Sequence, residues 1–238
     1  MDNVIKTKLD TYRPYLGKRY DTFLYAFKKF AEAKGKVIVE LGTSRSFVTG
    51  GVEGCFSTKA KYWNPDDMEL WDWGSGLFTK VCLECLAHLE IEFHSVDISR
   101  SAIKISKVIT SEYKKKIKYH LTTSEKFLSK FKKKIDLLYM DAADNNEDGA
   151  QIHLREAKIL LEKNLLADRG VILIDDINLN QEQIDLGLIP KGKYSIPFLT
   201  GHGYKLLKNN YQVILEKKYL NFYPASEFII DQLQKKRC

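Results

Sequence analysis

The chain has 238 residues, 44% of them hydrophobic and 12% aromatic, with a formal net charge of +7. That length suits one domain with a full core, and the lack of any apolar run of about 18 residues excludes a membrane-spanning helix. The polar start from Asp2 onward carries no apolar signal region, so a cytoplasmic enzyme is expected.

Residues 17–34 place Phe23, Ala26, Phe27 and Phe30 on one helical face, and Gly35 ends the pattern. Together with what precedes it, this predicts a helical extension over about residues 1–35. Lys36 to Gly42 is a short apolar run closing on Glu40 and a glycine, as in a buried parallel strand feeding a sharp turn. The segment 47–73 follows, rich in glycine and aromatics (Gly50, Gly51, Gly54, Trp63, Trp71, Trp73), and reads equally as a lid or substrate wall or as a long loop anchored to the body by its tryptophans. A helix is predicted over 76–89. Its Cys82 and Cys85 form a CxxC, but they fall at helical spacing among apolar residues and no second CxxC exists, so two buried thiols explain them better than zinc.

Further strands are predicted at 92–97, 118–121, 135–141 and 170–176, with helices at 99–116, 124–132 and 149–166 between them. Alternation of this kind gives a parallel sheet covered on both faces. Tyr204 to Leu207 and Tyr211 to Glu216 flank Lys208-Asn209-Asn210 as an antiparallel hairpin, and a short helix is expected at 225–236. The fold class is therefore α/β: a doubly wound, mostly parallel, seven-stranded Rossmann-like sheet with an antiparallel C-terminal hairpin. The lysines lie in short groups, such as 114–116 and 132–134, on expected helix ends and loops. A polyanionic partner such as nucleic acid stays open on the net charge but ranks second to a small molecule. Self-association also stays open.

Four strands end in acids: Glu40, Asp97, Asp141, and the pair Asp175-Asp176. Ligands of open α/β sheets bind beyond the carboxyl ends of the strands, and a carboxylate there has left the core while remaining fixed by it. One such acid can simply cap a helix; four are hard to assign to capping alone. Asp97, followed by Ile98, suits the vicinal diol of an adenosine ribose. Glu40 can orient the turn and receive a cofactor ammonium. A dinucleotide enzyme would share Asp97 but needs G-x-G-x-x-G at the first turn, where this chain has only Gly42.

Glu40-Leu41-Gly42-Thr43-Ser44 after a strand, with Asp97 ending the next, resembles the class I methyltransferases that use S-adenosylmethionine, over about residues 36–215. The resemblance implies a cofactor site of Glu40, Gly42, Thr43, Ser44, Ser46, Asp97, Ile98 and Asp141, with Thr123 and Ser124 near adenine. Ser124 also reads as a helix N-cap. Ser44 and Ser46 stand where the family favours glycine, so the turn is expected to be split, its second half being Gly74-Ser75-Gly76 with helix N–H groups toward the cofactor carboxylate.

Asp141, Asp175 and Asp176 end adjacent strands, and three converging carboxylates suit Mg²⁺. They resemble the acids of metal-dependent O-methyltransferases of the catechol and macrocin types. The implied activity is Mg²⁺-assisted methylation of a hydroxyl on a small molecule, the cation lowering the hydroxyl pKa. The alternatives are a metal-independent N- or RNA methyltransferase and a non-catalytic protein that binds S-adenosylmethionine. The lysine that follows the strand-four acid in catechol-type enzymes is missing from Asp141-Ala142-Ala143-Asp144, so His153 or Asp141 itself is the expected base, with His202 weaker. Residues 195–203 are a candidate pocket wall.

Overall fold

The computed structural model describes residues 2–43, 64–75 and 77–217. Five strands, β1 (Val37–Leu41), β2 (Glu92–Asp97), β3 (Ile117–Leu121), β4 (Ile135–Met140) and β5 (Leu166–Ile174), run parallel. They are joined by β6 (Tyr204–Asn209) and β7 (Val213–Lys217) in one sheet of order β3-β2-β1-β4-β5-β7-β6. β7 is antiparallel to β5, and β6 to β7. The order reverses between β1 and β4, which opens the crevice where ligands bind in such sheets.

The strands form because their side chains alternate between two dry faces. Ile38, Phe93, Leu137, Tyr139, Val171 and Leu173 pack one core with α1 (Asp2–Asp10), α3 (Tyr20–Glu32), α4 (Phe78–Leu86) and α5 (Arg100–Ile109). Val39, Leu41, Val96, Leu138, Met140 and Ile172 pack the other, with α6 (Ser124–Lys130), α7 (Glu147–Glu162) and α9 (Ser195–Gly201). Phe23, Ala26, Phe27 and Phe30 of α3 are all buried, as their spacing predicts. So are Cys82 and Cys85 on α4. The short helices α2 (Arg13–Leu16) and α8 (Gln181–Asp185) complete the described elements. Among the described residues, no helix is long and apolar enough to cross a membrane.

Several boundaries differ from expectation for local reasons. β5 begins at Leu166, not 170, because the polar stretch Ala167 to Arg169 is a bulge within it, where pairing with β4 shifts register. Gly170 is required there: a Cβ would lie 2.7 Å from the Ile135 carbonyl oxygen. The helix expected over 99–116 ends at Ile109 and passes into a 3-10 turn at Ser111–Tyr113. Residues 195–201, expected as a wall, form α9, whose Leu199 is buried on the α7 side. The helix expected at 225–236, and most of the 47–73 insertion, lie outside the described residues.

Candidate active site

The turn after β1 is built by close backbone approach. Gly42 has φ of +88°, and a Cβ on it would sit 2.5 Å from the Asp141 carbonyl oxygen, so only glycine fits. Its N–H donates to the Val96 carbonyl at 2.9 Å. The next N–H, of Thr43, donates to Asp97 Oδ2 at 3.0 Å, and that of Ser99 to Asp97 Oδ1 at 2.6 Å. Asp97 thus ties the β1 turn to the start of α5.

Glu40 lies behind this turn, 1% exposed. Thr79 Oγ1 sits 2.7 Å from both of its oxygens, and Ser95 Oγ donates to Oε2. Burial raises its pKa to about 8, against the pull of the Ser95 and Thr79 hydroxyls. This geometry matches the turn-orienting role of Glu40; its oxygens face protein hydroxyls and not open space.

In front of the turn is a cavity of about 320 Å³, lined by Gly42, Asp97, Ile98, Thr123, Ser124 and Ala142 among others. This is within the size of small-molecule sites. It opens at the carboxyl ends of β1, β2, β3 and β4. Ile98 is 74% exposed, an apolar side chain at the rim. Thr123, and not Ser124, caps α6, accepting from the Lys126 N–H at 3.2 Å. Asn146 caps α7 on the opposite wall by accepting from Gly149 N–H at 2.8 Å.

Five expected cofactor residues, Gly42, Asp97, Ile98, Thr123 and Ser124, therefore share one cavity, with Glu40 and Thr43 behind it. Ser44, Ser46 and Gly76 lie outside the described residues, as does the side chain of Ser75. Gly74 stands elsewhere. Its N–H is taken by Asp72 Oδ1 at 2.9 Å and its carbonyl accepts from Arg19 at 3.2 Å. Trp73–Ser75 is a separate 3-10 turn, and α4 starts only at Phe78. Gly74 consequently offers no free helix N–H, which corrects the split-turn expectation at that residue.

The acids ending β4 and β5 are gathered around two cations that sequence reading missed. Lys191 Nζ lies 2.5 Å from Asp141 Oδ1 and 3.0 Å from Asp176 Oδ2. Arg19 Nε lies 3.1 Å from Asp175 Oδ2, and its Nη2 3.7 Å from Asp176 Oδ1. Tyr139 donates to Asp175 Oδ2 at 2.5 Å, and Tyr211 donates to Asp176 Oδ1. Asp176 has φ of +53°, an uncommon backbone state of the kind that gathers at functional sites. Burial pushes the Asp141 pKa above the carboxylate range, and Lys191 only partly offsets it. Burial also opposes the charge on Asp176, but there Lys191 and Tyr211 prevail and the pKa falls.

These carboxylates do not fit Mg²⁺. A divalent ion needs several oxygen ligands with free lone pairs, and here ammonium and guanidinium groups already sit against one or both oxygens of each acid. Among the described residues, no group of three or more His, Cys, Asp or Glu side chains is arranged to hold a metal. The expected metal role of Asp141, Asp175 and Asp176 is corrected accordingly.

His153 on α7 is also placed against its expected role as base. It is 0% exposed, Nε2 meets the Ala142 carbonyl at 2.8 Å, and burial with the nearby Lys191 charge lowers its pKa to about 4. His202 caps the end of α9, with Nδ1 2.7 Å from the Phe198 carbonyl, and is exposed. Asp141 is the remaining candidate. It follows β4 directly, its backbone touches Gly42, and its neighbour Ala142 lines the cavity.

A family profile described as a methyltransferase domain matches residues 73–177. No curated protein matches the chain in sequence. In structure the chain is similar to the Podospora anserina methyltransferase PaMTH1 bound to S-adenosylhomocysteine, at 17% identity and a TM-score of 0.53, over 90% of this chain and 88% of that one. It is also similar to a candidate caffeoyl-CoA O-methyltransferase from Staphylococcus aureus (13%, TM-score 0.49, 79% and 78%). A third is an rRNA methylase from Streptococcus thermophilus (13%, TM-score 0.49, 81% and 94%). The fold shared with the first of these is the seven-stranded Rossmann-like arrangement described above. The matched segment contains β2 to β5, with Asp97, Thr123, Ser124, Asp141, Asp175 and Asp176. The chain thus matches a methyltransferase domain over residues 73–177 and shares the fold of PaMTH1.

Proposed function

We propose that the methyl donor is S-adenosylmethionine and that the acceptor is a hydroxyl on a small molecule, with Asp141 taking its proton. The observation that carries the donor assignment is the cavity shared by Gly42, Asp97, Ile98, Thr123 and Ser124 at the switch point of the sheet. Asp97 presents a fixed carboxylate to a ribose diol, Ile98 an apolar face to adenine, and the Thr123–Ser124 segment hydrogen-bonding groups to its edge. A cofactor without phosphates needs no glycine-rich cradle, which agrees with a first turn holding Gly42 alone.

The sulfonium methyl is already activated, so the protein's task is alignment for in-line attack. Bound there, S-adenosylmethionine would supply an electrophilic methyl to the acceptor oxygen and would leave as neutral S-adenosylhomocysteine, the electron pair of the broken carbon–sulfur bond staying on sulfur. The hydroxyl proton passes to the Asp141 carboxylate, which stands beside the Gly42 turn and next to cavity-lining Ala142. Two features support a hydroxyl acceptor: the site supplies a carboxylate for its proton, and Lys191 holds that carboxylate in place.

Calorimetric titration with S-adenosylmethionine and S-adenosylhomocysteine tests the donor. Wild type should bind both, and Asp97→Ala should weaken binding about ten- to a hundredfold, the worth of charge-assisted hydrogen bonds. Failure of wild type to bind either would reject the reading. Labelled cofactor offered with hydroxylated small molecules, amines and RNA tests the acceptor. Label found only on nitrogen or RNA would remove the hydroxyl assignment and leave the donor standing.

A further inference from the structure

Lys191 is buried, 5% exposed, between α8 and α9, an unusual place for a lysine in a chain with so much surface to spare. Its ammonium has three donors and three acceptors within reach: Asp141 Oδ1 at 2.5 Å, Asp176 Oδ2 at 3.0 Å and the Asp141 carbonyl at 3.4 Å. The backbone around it is anchored. Ile189 N–H donates to the Asn145 carbonyl at 2.9 Å and Lys193 N–H to that of Pro190 at 3.1 Å. Gly192 packs under the side chains of Ile196 and Ile177, whose terminal Cδ1 atoms lie 2.4 Å and 2.6 Å from where a Cβ would stand. Lys191 is therefore delivered to the acids by a fixed turn.

We infer that Lys191 is the built-in cation of this site: it occupies the place a divalent ion would take among the strand-end acids, fixes Asp141 and Asp176 as a positioning residue, and makes methyl transfer independent of metal. Charge supports this. Even with all three ionised, Asp141, Asp175 and Asp176 carry only three negative charges against the two positive charges of Lys191 and Arg19. An added dication would gain from one unbalanced charge while standing beside two fixed cations. Removing the lysine reverses the balance: it frees oxygens on two acids, leaves two unbalanced negative charges, and opens space where the ammonium was.

The statement about turnover rests on the methyltransferase reading. Metal binding is read on the ligand-free chain with no turnover, so failure of either is distinguishable. Mn²⁺ binding is followed by electron paramagnetic resonance in wild type, Lys191→Ala, Asp176→Asn and the double variant. Wild type should show no saturable Mn²⁺ site at millimolar metal. Lys191→Ala should gain one, at least about tenfold tighter than anything wild type shows, and lose it when Asp176→Asn is added. With the identified acceptor, wild-type turnover should be unchanged by chelator. The inference is overturned if wild type binds Mn²⁺ at a site that Asp176→Asn abolishes, or if a folded Lys191→Ala acquires no site. Should Lys191→Ala fail to fold, wild type against Asp176→Asn decides alone: equal absence of binding upholds the inference, and binding lost with Asp176 defeats it.

Discussion

Replacing Glu40 by glutamine should flatten the pH dependence of stability in the ligand-free protein. The Glu40 carboxyl is buried and its pKa is raised from 4.5 to about 8 by that burial. In the unfolded chain it loses its proton near the ordinary value. In the folded chain it keeps it until about pH 8, so between those limits the unfolded state binds fewer protons and stability falls as pH rises. At about 1.4 kcal/mol per factor of ten, the full loss is about 5 kcal/mol as a ceiling; water entry and relaxation around the ion bring the expected figure nearer to about 2 kcal/mol. Glutamine preserves the local bonds, because the Thr79 and Ser95 hydroxyls can rotate to donate or accept. Urea unfolding at about pH 5.5 and about pH 8.5 should show wild type losing about 2 kcal/mol more than Glu40→Gln across that interval. Equal losses in the two proteins would mean that Glu40 ionises freely, and the account of a sealed carboxyl behind the cofactor turn would be wrong.

Three other expectations use the same assays. Arg19→Met leaves Asp175 buried and short of its counter-charge, which should cost about 3–5 kcal/mol, and adding Asp175→Asn should recover much of it; purely additive losses would deny the coupling. Gly42→Ala forces a Cβ into the Asp141 carbonyl at positive φ and should cost about 2 kcal/mol or more with weakened cofactor binding, so a variant as stable as wild type would refute the close approach. Glu156 on α7 is 0% exposed and burial raises its pKa to about 8. Glu156→Met should therefore stabilise the protein by about 1–2 kcal/mol at about pH 8.5 and by less at about pH 5.5, and a loss at the higher pH would contradict this.

The middle of the sheet was legible because β1, β2, β4 and most of β5 are buried on both faces and read as apolar runs closing on an acid. The missed pieces lack that contrast. α9 carries Pro197 and Gly201 in only seven residues, so its periodicity is too short to register. The start of β5 is hidden by Asp168-Arg169-Gly170, polar residues of a bulge that resemble a turn. The capping residue of α6 was misread by one position because Thr123 and Ser124 are chemically interchangeable caps; only the hydrogen bond to Lys126 distinguishes them.

The acids were legible and their partners were not, and this asymmetry explains the metal error. An acid closing an apolar strand stands out against its neighbours, whereas Lys191 is one cation among 38 lysines and arginines. Arg19 lies 156 residues from the acid it serves. Read alone, three strand-end acids demand a cation and suggest that it comes from solution. The fold supplies two from the chain instead, one on the turn before α9 and one ahead of α3, both brought to the carboxyl edge by packing that no local pattern encodes. A cluster of acids therefore fixes how much positive charge a site must hold, and only the residues packed over it decide whether that charge is a metal or a side chain. Pro190-Lys191-Gly192 is the local trace of the answer: a buried lysine between a proline and a glycine packed under Ile177 and Ile196 is held in position, as a surface lysine seldom is.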